Sequence, residues 1–245
     1  MLNTYCKCVK DVVLLATPQN IKDADFALDE NFMVKLTKDN AEKAFACIRA
    51  NKRYKNPAYA DYYQETNKHL SDYTKQEFIE IVRLIARANS TRTPQKNAEI
   101  LGSYIYDNCK VFLESLEEGD RDLIPELANC KGLSRKESSL ASKICVFLCE
   151  LEFQKSNFIV NDNVVRTVLP YYLHYYHIDK KLWQDKNGLK DLNKCSYAEL
   201  FDLVKAVKGK SENTLTFREI DHILWYCYKN DPVRTAVAIE LAKKA

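Results

Sequence analysis

The sequence predicts an all-α protein. Three observations carry that expectation. Turn-formers are scarce, with 5 glycines and 6 prolines in 245 residues. Apolar residues recur at i, i+3, i+4 and i+7 through most of the chain, the signature of one-sided helices. Helix-start signals stand ahead of several of these runs, in particular Thr74 with Glu77 and Ser196 with Glu199, each a capping-box pair.

The elements follow in order. Residues 1–38 are hard to read; Val12 to Ala16 fits a strand or the start of a helix, and Asp23, Asp25, Asp29 and Glu30 mark an acidic loop. A helix is expected from Asp39 to near Arg53, with Ala41, Ala44, Phe45 and Ile48 on one face. Pro57 suits the first position of another, where Tyr59, Tyr62 and Tyr63 cluster. Thr74 opens a helix through Phe78, Ile81, Val82 and Ile85, ending near Asn89. Pro94 starts one long helix over about 95–117, which Gly119-Asp120 breaks. Asp120 or Asp122 then caps a short helix to Asn129, and Lys131, Arg135 and Lys136 form a basic loop.

Further along, Pro170 ends or kinks a helix that begins after Asp162, and the aromatic run Tyr171 to His177 reads as helical. Trp183 to Asn193 reads as an exposed loop around Gly188. Ser196 starts a helix to about Lys208, and Thr216–Tyr228 and Val233–Lys244 close the chain. The segments expected are 1–70, an N-terminal helical part of one lobe; 71–177, a central lobe; and 178–245, helices that complete the second lobe.

Composition narrows the function classes. The net charge of +3 permits nucleic-acid binding without arguing for it. The nine cysteines form no Cys-x-x-Cys pair, no run approaches transmembrane length, and Val12 to Ala16 is too short for a signal-peptide core. The expectation is a reduced, cytoplasmic protein with free thiols, in which Cys145 and Cys149 belong to the core. His174 and His177 lack an acidic or thiol ligand at matching spacing, so no metal is expected.

The stretch with chemistry in it is Ser139 to Leu169. Leu140, Ile144, Phe147, Leu148 and Leu151 make an apolar stripe, and Lys143 falls at its border. Apolar surroundings disfavour an ammonium, and a neutral amine is a nucleophile; the plainer reading is a lysine with a buried stem and a wet head. Nineteen residues later, after the β-prone run Phe158-Ile159-Val160, Asp162 stands where a helix N-cap is expected. Backbone amides and the helix dipole keep such a carboxylate ionised.

This order of lysine on a helix, apolar run and helix-opening aspartate resembles the helix-hairpin-helix DNA glycosylases, and the nineteen-residue interval is similar to that of the 8-oxoguanine DNA glycosylases. The likeness covers roughly Ser134 to Leu169, with a looser one over 75–228. It implies a two-lobed all-α fold with a central cleft, at whose mouth Lys143 attacks C1′ of the damaged nucleotide and forms a Schiff base while Asp162 stabilises the positive sugar. It implies a bifunctional glycosylase with abasic-site lyase activity, a monomer with no cofactor, whose partner is double-stranded DNA containing a damaged base. The family usually carries Gly-x-Gly just before its lysine; here Ser139-Leu140-Ala141-Ser142 stands there, with Ser142 as the remaining phosphate contact.

The resemblance also assigns surrounding residues. Asn89 matches the side chain that fills the gap left by a flipped base, although a plain loop residue is the simpler reading. Arg92, Lys96, Lys131, Arg135 and Lys136 would meet phosphates. Phe147, Asp221, His222 and Trp225 would line the base pocket, although Trp225 also suits a core anchor. The alternative is a catalytically inert helical module that binds nucleic acid or protein.

Overall fold

The computed structural model describes residues 25–31, 33–50, 58–88, 92–185, 188–212, 214–229 and 231–243. The fold is all-α: among these residues there are eleven α-helices and one two-stranded ribbon. Val12 to Ala16 and Asn89 lie outside the described residues.

The helices are α1 (Lys38–Ala50), α2 (Ala58–Thr66), α3 (Lys75–Ala88), α4 (Gln95–Asp107), α5 (Cys109–Glu118), α6 (Leu123–Ala128), α7 (Ser138–Phe153), α8 (Asn163–Tyr175), α9 (Tyr197–Lys210), α10 (Phe217–Tyr228) and α11 (Pro232–Lys243). They fall into two compact units, Arg49–Asn161 and Met1–Ile48 with Asp162–Ala245. The chain thus divides at Asp162, not after His177, because α8 packs on α10 and α11.

In the unit of 49–161, α7 is the central helix. Every residue from Leu140 to Cys149 is buried, beneath α3, α5 and α6. A helix enclosed all round carries no polar face. The Thr74–Glu77 capping box opens α3: the Thr74 amide donates to Glu77 Oε2 at 2.7 Å and the Glu77 amide to Thr74 Oγ1 at 3.3 Å. Next to α3, α4 comes so close that a Cβ on Gly102 would lie 2.5 Å from the Ile79 Cα. The expected single helix over 95–117 is two. Asn108 interrupts it, turning its side-chain amide onto the Tyr104 carbonyl at 2.9 Å, the competition with helical bonding that asparagine favours. Gly119 ends α5 at φ +76°, a left-handed cap.

The second unit is sealed by tyrosines. Tyr172 donates to the Val34 carbonyl at 2.6 Å and meets the Tyr228 hydroxyl at 2.7 Å. Tyr171 donates to Asp29, and Asn31 donates to Tyr171 at 3.3 Å. These bonds lay the segment 25–37 against α8. Pro170 neither ends nor divides α8; it sits inside a continuous helix. Ser196 and Thr216 cap α9 and α10, each with the reciprocal glutamate three residues on. Trp183 is a correction: its ring is 1% exposed and its indole N–H donates to the Ile178 carbonyl at 3.1 Å. The residues after it form a ribbon, β1 (Gln184–Asp185) with β2 (Gly188–Leu189), in antiparallel register.

Candidate active site

Lys143 sits in the second turn of α7 and is 7% exposed, not on a solvent border as its spacing suggests. The stripe analysis places it at an edge because it counts only one face as covered. Here the far side of α7, with Ser142, Cys145 and Cys149, is covered too. The Lys143 amine donates to the Ser139 hydroxyl, one turn back, at 3.2 Å.

Asp162 is the N-cap of α8. Its Oδ1 accepts from the amides of Val164 at 3.0 Å and Val165 at 3.1 Å. Oδ2 takes no part in those capping bonds. The backbone there is extended, at φ −127° and ψ 173°, as an N-cap requires.

One bond ties the neighbours of these two residues together. The Asn161 amide donates to the Ser142 hydroxyl at 2.9 Å, so the residue before the aspartate is fastened to the residue before the lysine. Ser142 also donates to the Ser139 carbonyl at 3.1 Å. The expected phosphate contact at Ser142 is therefore corrected: its side chain is fully buried and already committed within the protein. Phe158, Ile159 and Val160 are 1%, 3% and 4% exposed, and they form no strand. Burial, not sheet pairing, accounts for their apolar character.

Four of the five basic candidates are carried by segments that a single carboxylate gathers. Glu137 is 4% exposed and accepts from Arg135 Nε at 2.8 Å, from the Asn97 amide at 2.8 Å and from the Thr93 hydroxyl at 3.0 Å. Arg135 also donates to the Arg92 carbonyl at 2.9 Å, and Asn97 accepts from the Ser134 amide at 3.1 Å. The segment at Arg92, the first turn of α4 with Lys96, and the loop with Arg135 and Lys136 are thus joined. Lys131 lies on that same loop, and all five side chains are exposed. Sequence reasoning missed Glu137 and Asn97, because an acid and an amide in polar surroundings carry no sign of burial.

The base-pocket residues fall in both units. Phe147 is 2% exposed and its ring stacks on Tyr59, with centroids 4.8 Å apart. Asp221 pairs with Arg218 at 2.6 Å. His222 is buried under Phe45, the rings 5.0 Å apart. Burial, then the Arg218 charge, pushes the imidazole down to about 2. Lys229 lies over the Trp225 ring at 4.6 Å. Each of these side chains has a packing partner within its own unit.

Among the described residues no helix is long and apolar enough to cross a membrane. Comparison with protein-family models, with curated proteins and with solved structures returns no match.

Proposed function

We propose that this protein is a DNA glycosylase with abasic-site lyase activity that excises an oxidised purine of the 8-oxoguanine kind. Lys143 is the nucleophile. Its neutral amine attacks C1′ and the bond to the base breaks, the base leaving with one amine proton. The C1′–O4′ bond then opens, O4′ takes the second proton, and the ring-opened sugar is left joined to the lysine as a Schiff base. Asp162 is the carboxylate that stabilises the positive sugar. The basic residues Arg92, Lys96, Lys131, Arg135 and Lys136 hold backbone phosphates.

The observation that carries this reading is the bond between Ser142 and Asn161, which couples the chain at the lysine to the chain at the aspartate. A buried amine on a central helix and a carboxylate anchored by two backbone amides are the chemical types this reaction needs. The inert nucleic-acid- or protein-binding module is the second reading. The burial of Ser142 favours it, since the turn before Lys143 offers no hydroxyl to a phosphate.

Borohydride reduction on an 8-oxoguanine duplex separates the two. The glycosylase gives a covalent adduct that Lys143→Gln abolishes. Wild-type protein that neither releases base nor forms an adduct is the inert module. An adduct that survives Lys143→Gln moves the nucleophile to another residue.

A further inference from the structure

Within the unit of 49–161, the last turns of α3 and the first turn of α4 enclose a pocket of about 310 Å³. Arg83, Arg87 and Arg92 line it, together with Thr93, Gln95 and two alanines. The polar groups divide into committed and uncommitted. Arg83 is held by Glu99 at 2.6 Å and by Glu80 at 3.4 Å. Gln95 donates to Glu99 at 3.2 Å, and Thr93 donates to Glu137. Among the described residues no ion pair is formed by Arg87 or Arg92, and both side chains are exposed.

The charge balance favours an anion. Arg83, Arg87, Arg92 and Lys96, which acts electrostatically on Glu99, outnumber the carboxylates Glu80 and Glu99 beside them, and the third acid at hand, Glu137 behind Thr93, is paired with Arg135. Arg83 Nε is buried with no partner. Arg92 is set in its place by an uncommon backbone, φ +51°, which the bond from Arg135 to its carbonyl holds. Guanidinium groups in pairs match the oxygens of a phosphate, and the alanine walls leave room for what the phosphate is attached to.

We propose that the Arg83–Arg87–Arg92 pocket is a phosphate-binding site, in which Arg87 and Arg92 clasp the phosphate oxygens and Arg83 closes the rear. The site does not depend on the chemistry assigned to Lys143. Its ligand chemistry has two sources, the backbone of a nucleic-acid strand and a free phosphorylated molecule.

The test uses the full chain and the double variant Arg87→Ala/Arg92→Ala. Both positions are exposed, so the fold should stand, which circular dichroism checks. The first probe is a short undamaged duplex, followed by fluorescence anisotropy over a salt series. The second is inorganic phosphate, followed by calorimetry. For a strand phosphate, the double variant should lose about tenfold or more in duplex affinity, and its salt slope should fall by up to about two. For a free phosphate, the double variant should lose the calorimetric signal, and Arg87→Ala alone, at a residue outside the proposed strand contacts, should weaken phosphate binding with duplex binding unchanged. The paired Arg→Lys variant should keep the salt slope while binding more weakly. Duplex and phosphate binding both equal to wild type, or wild-type protein that binds neither, would overturn the proposal. Undamaged DNA gives no Schiff base, so a failure here leaves the borohydride result untouched.

Discussion

The two units solve the same problem, satisfying polar groups inside helical packing, by different means. In the unit of 49–161, buried carboxylates collect the loops: Glu152 accepts from Tyr63 at 2.8 Å, His69 at 3.0 Å and the Leu70 amide at 3.0 Å, as Glu137 does for the basic loop. In the unit of 1–48 with 162–245, the acids Asp29, Asp221 and Asp231 are buried too, but phenols and a neutral imidazole are buried beside them, at Tyr171, Tyr172, Tyr228 and His222. The first unit depends on close backbone approach and anchored acids. The second adds to its paired acids a set of groups that must stay uncharged, His222 among them. The two should therefore break under different insults.

The largest expected effect is steric and falls in the unit of 49–161. Gly102→Ala would place a methyl 2.5 Å from the Ile79 Cα and 2.9 Å from the Phe78 carbonyl oxygen. Both are backbone atoms that no rotamer change can move. The cost should be about 3 kcal/mol, the upper part of the range for overpacking. Hydrogen–deuterium exchange should rise in peptides from α3 and α4. Unchanged protection there would mean that the two helices can separate at little cost, and the contrast between the units would weaken.

Acid should break the other unit. The folded-state pKa of His222, about 2, lies below its unfolded value of about 6.5. The unfolded chain therefore binds the extra proton, and stability is lost as pH falls below about 6.5. By pH 5 this one group should cost about 2 kcal/mol. His174, also depressed by burial, acts in the same direction. Both tryptophans, Trp183 and Trp225, belong to this unit, so tryptophan fluorescence follows it alone. His222→Phe, which keeps an aromatic ring against Phe45, should move the acid midpoint to lower pH. An unmoved midpoint would assign the acid sensitivity elsewhere.

A smaller effect is expected at the bond between the two candidate residues' neighbours. Ser142→Ala removes the acceptor of the buried Asn161 amide, and an orphaned buried donor costs about 1.5 kcal/mol. Thermal unfolding should register that loss, and adduct formation should slow if the bond positions the chain for chemistry. A slower adduct with restored rate in Ser142→Thr would mark the hydroxyl, not the packing, as the cause.

What could be read in the sequence was local. The caps at Thr74, Ser196 and Asp162 were legible because a cap is built from residues two or three apart. The all-α class was legible for the same reason. The burial of Lys143 and of Trp183 was not, since it depends on elements packed from elsewhere in the chain. The break at Asn108 lay hidden within an unbroken apolar period. Arg83 and Arg87 belong to no motif in the sequence, and they line a pocket only because the start of α4 lies beside them.

The smallest stability effect is expected at Asp162, where it separates two roles that one side chain can fill. Asparagine caps a helix about as well as aspartate, so Asp162→Asn should change stability by only a few tenths of a kcal/mol. Its side-chain oxygen can still accept from the Val164 and Val165 amides, which are both bound through Oδ1 in the wild type. The second oxygen becomes an amide donor and the negative charge is gone. If Asp162 only caps α8, the variant should unfold like wild type and be trapped by borohydride at the wild-type rate. If it stabilises a cationic sugar, adduct formation should fall at least about 100-fold while the unfolding curve barely moves, a loss of about 2.7 kcal/mol confined to the transition state. Asp162→Ala then completes the comparison. It should cost about 1 kcal/mol of stability through the lost cap, with no greater loss of trapping than Asp162→Asn.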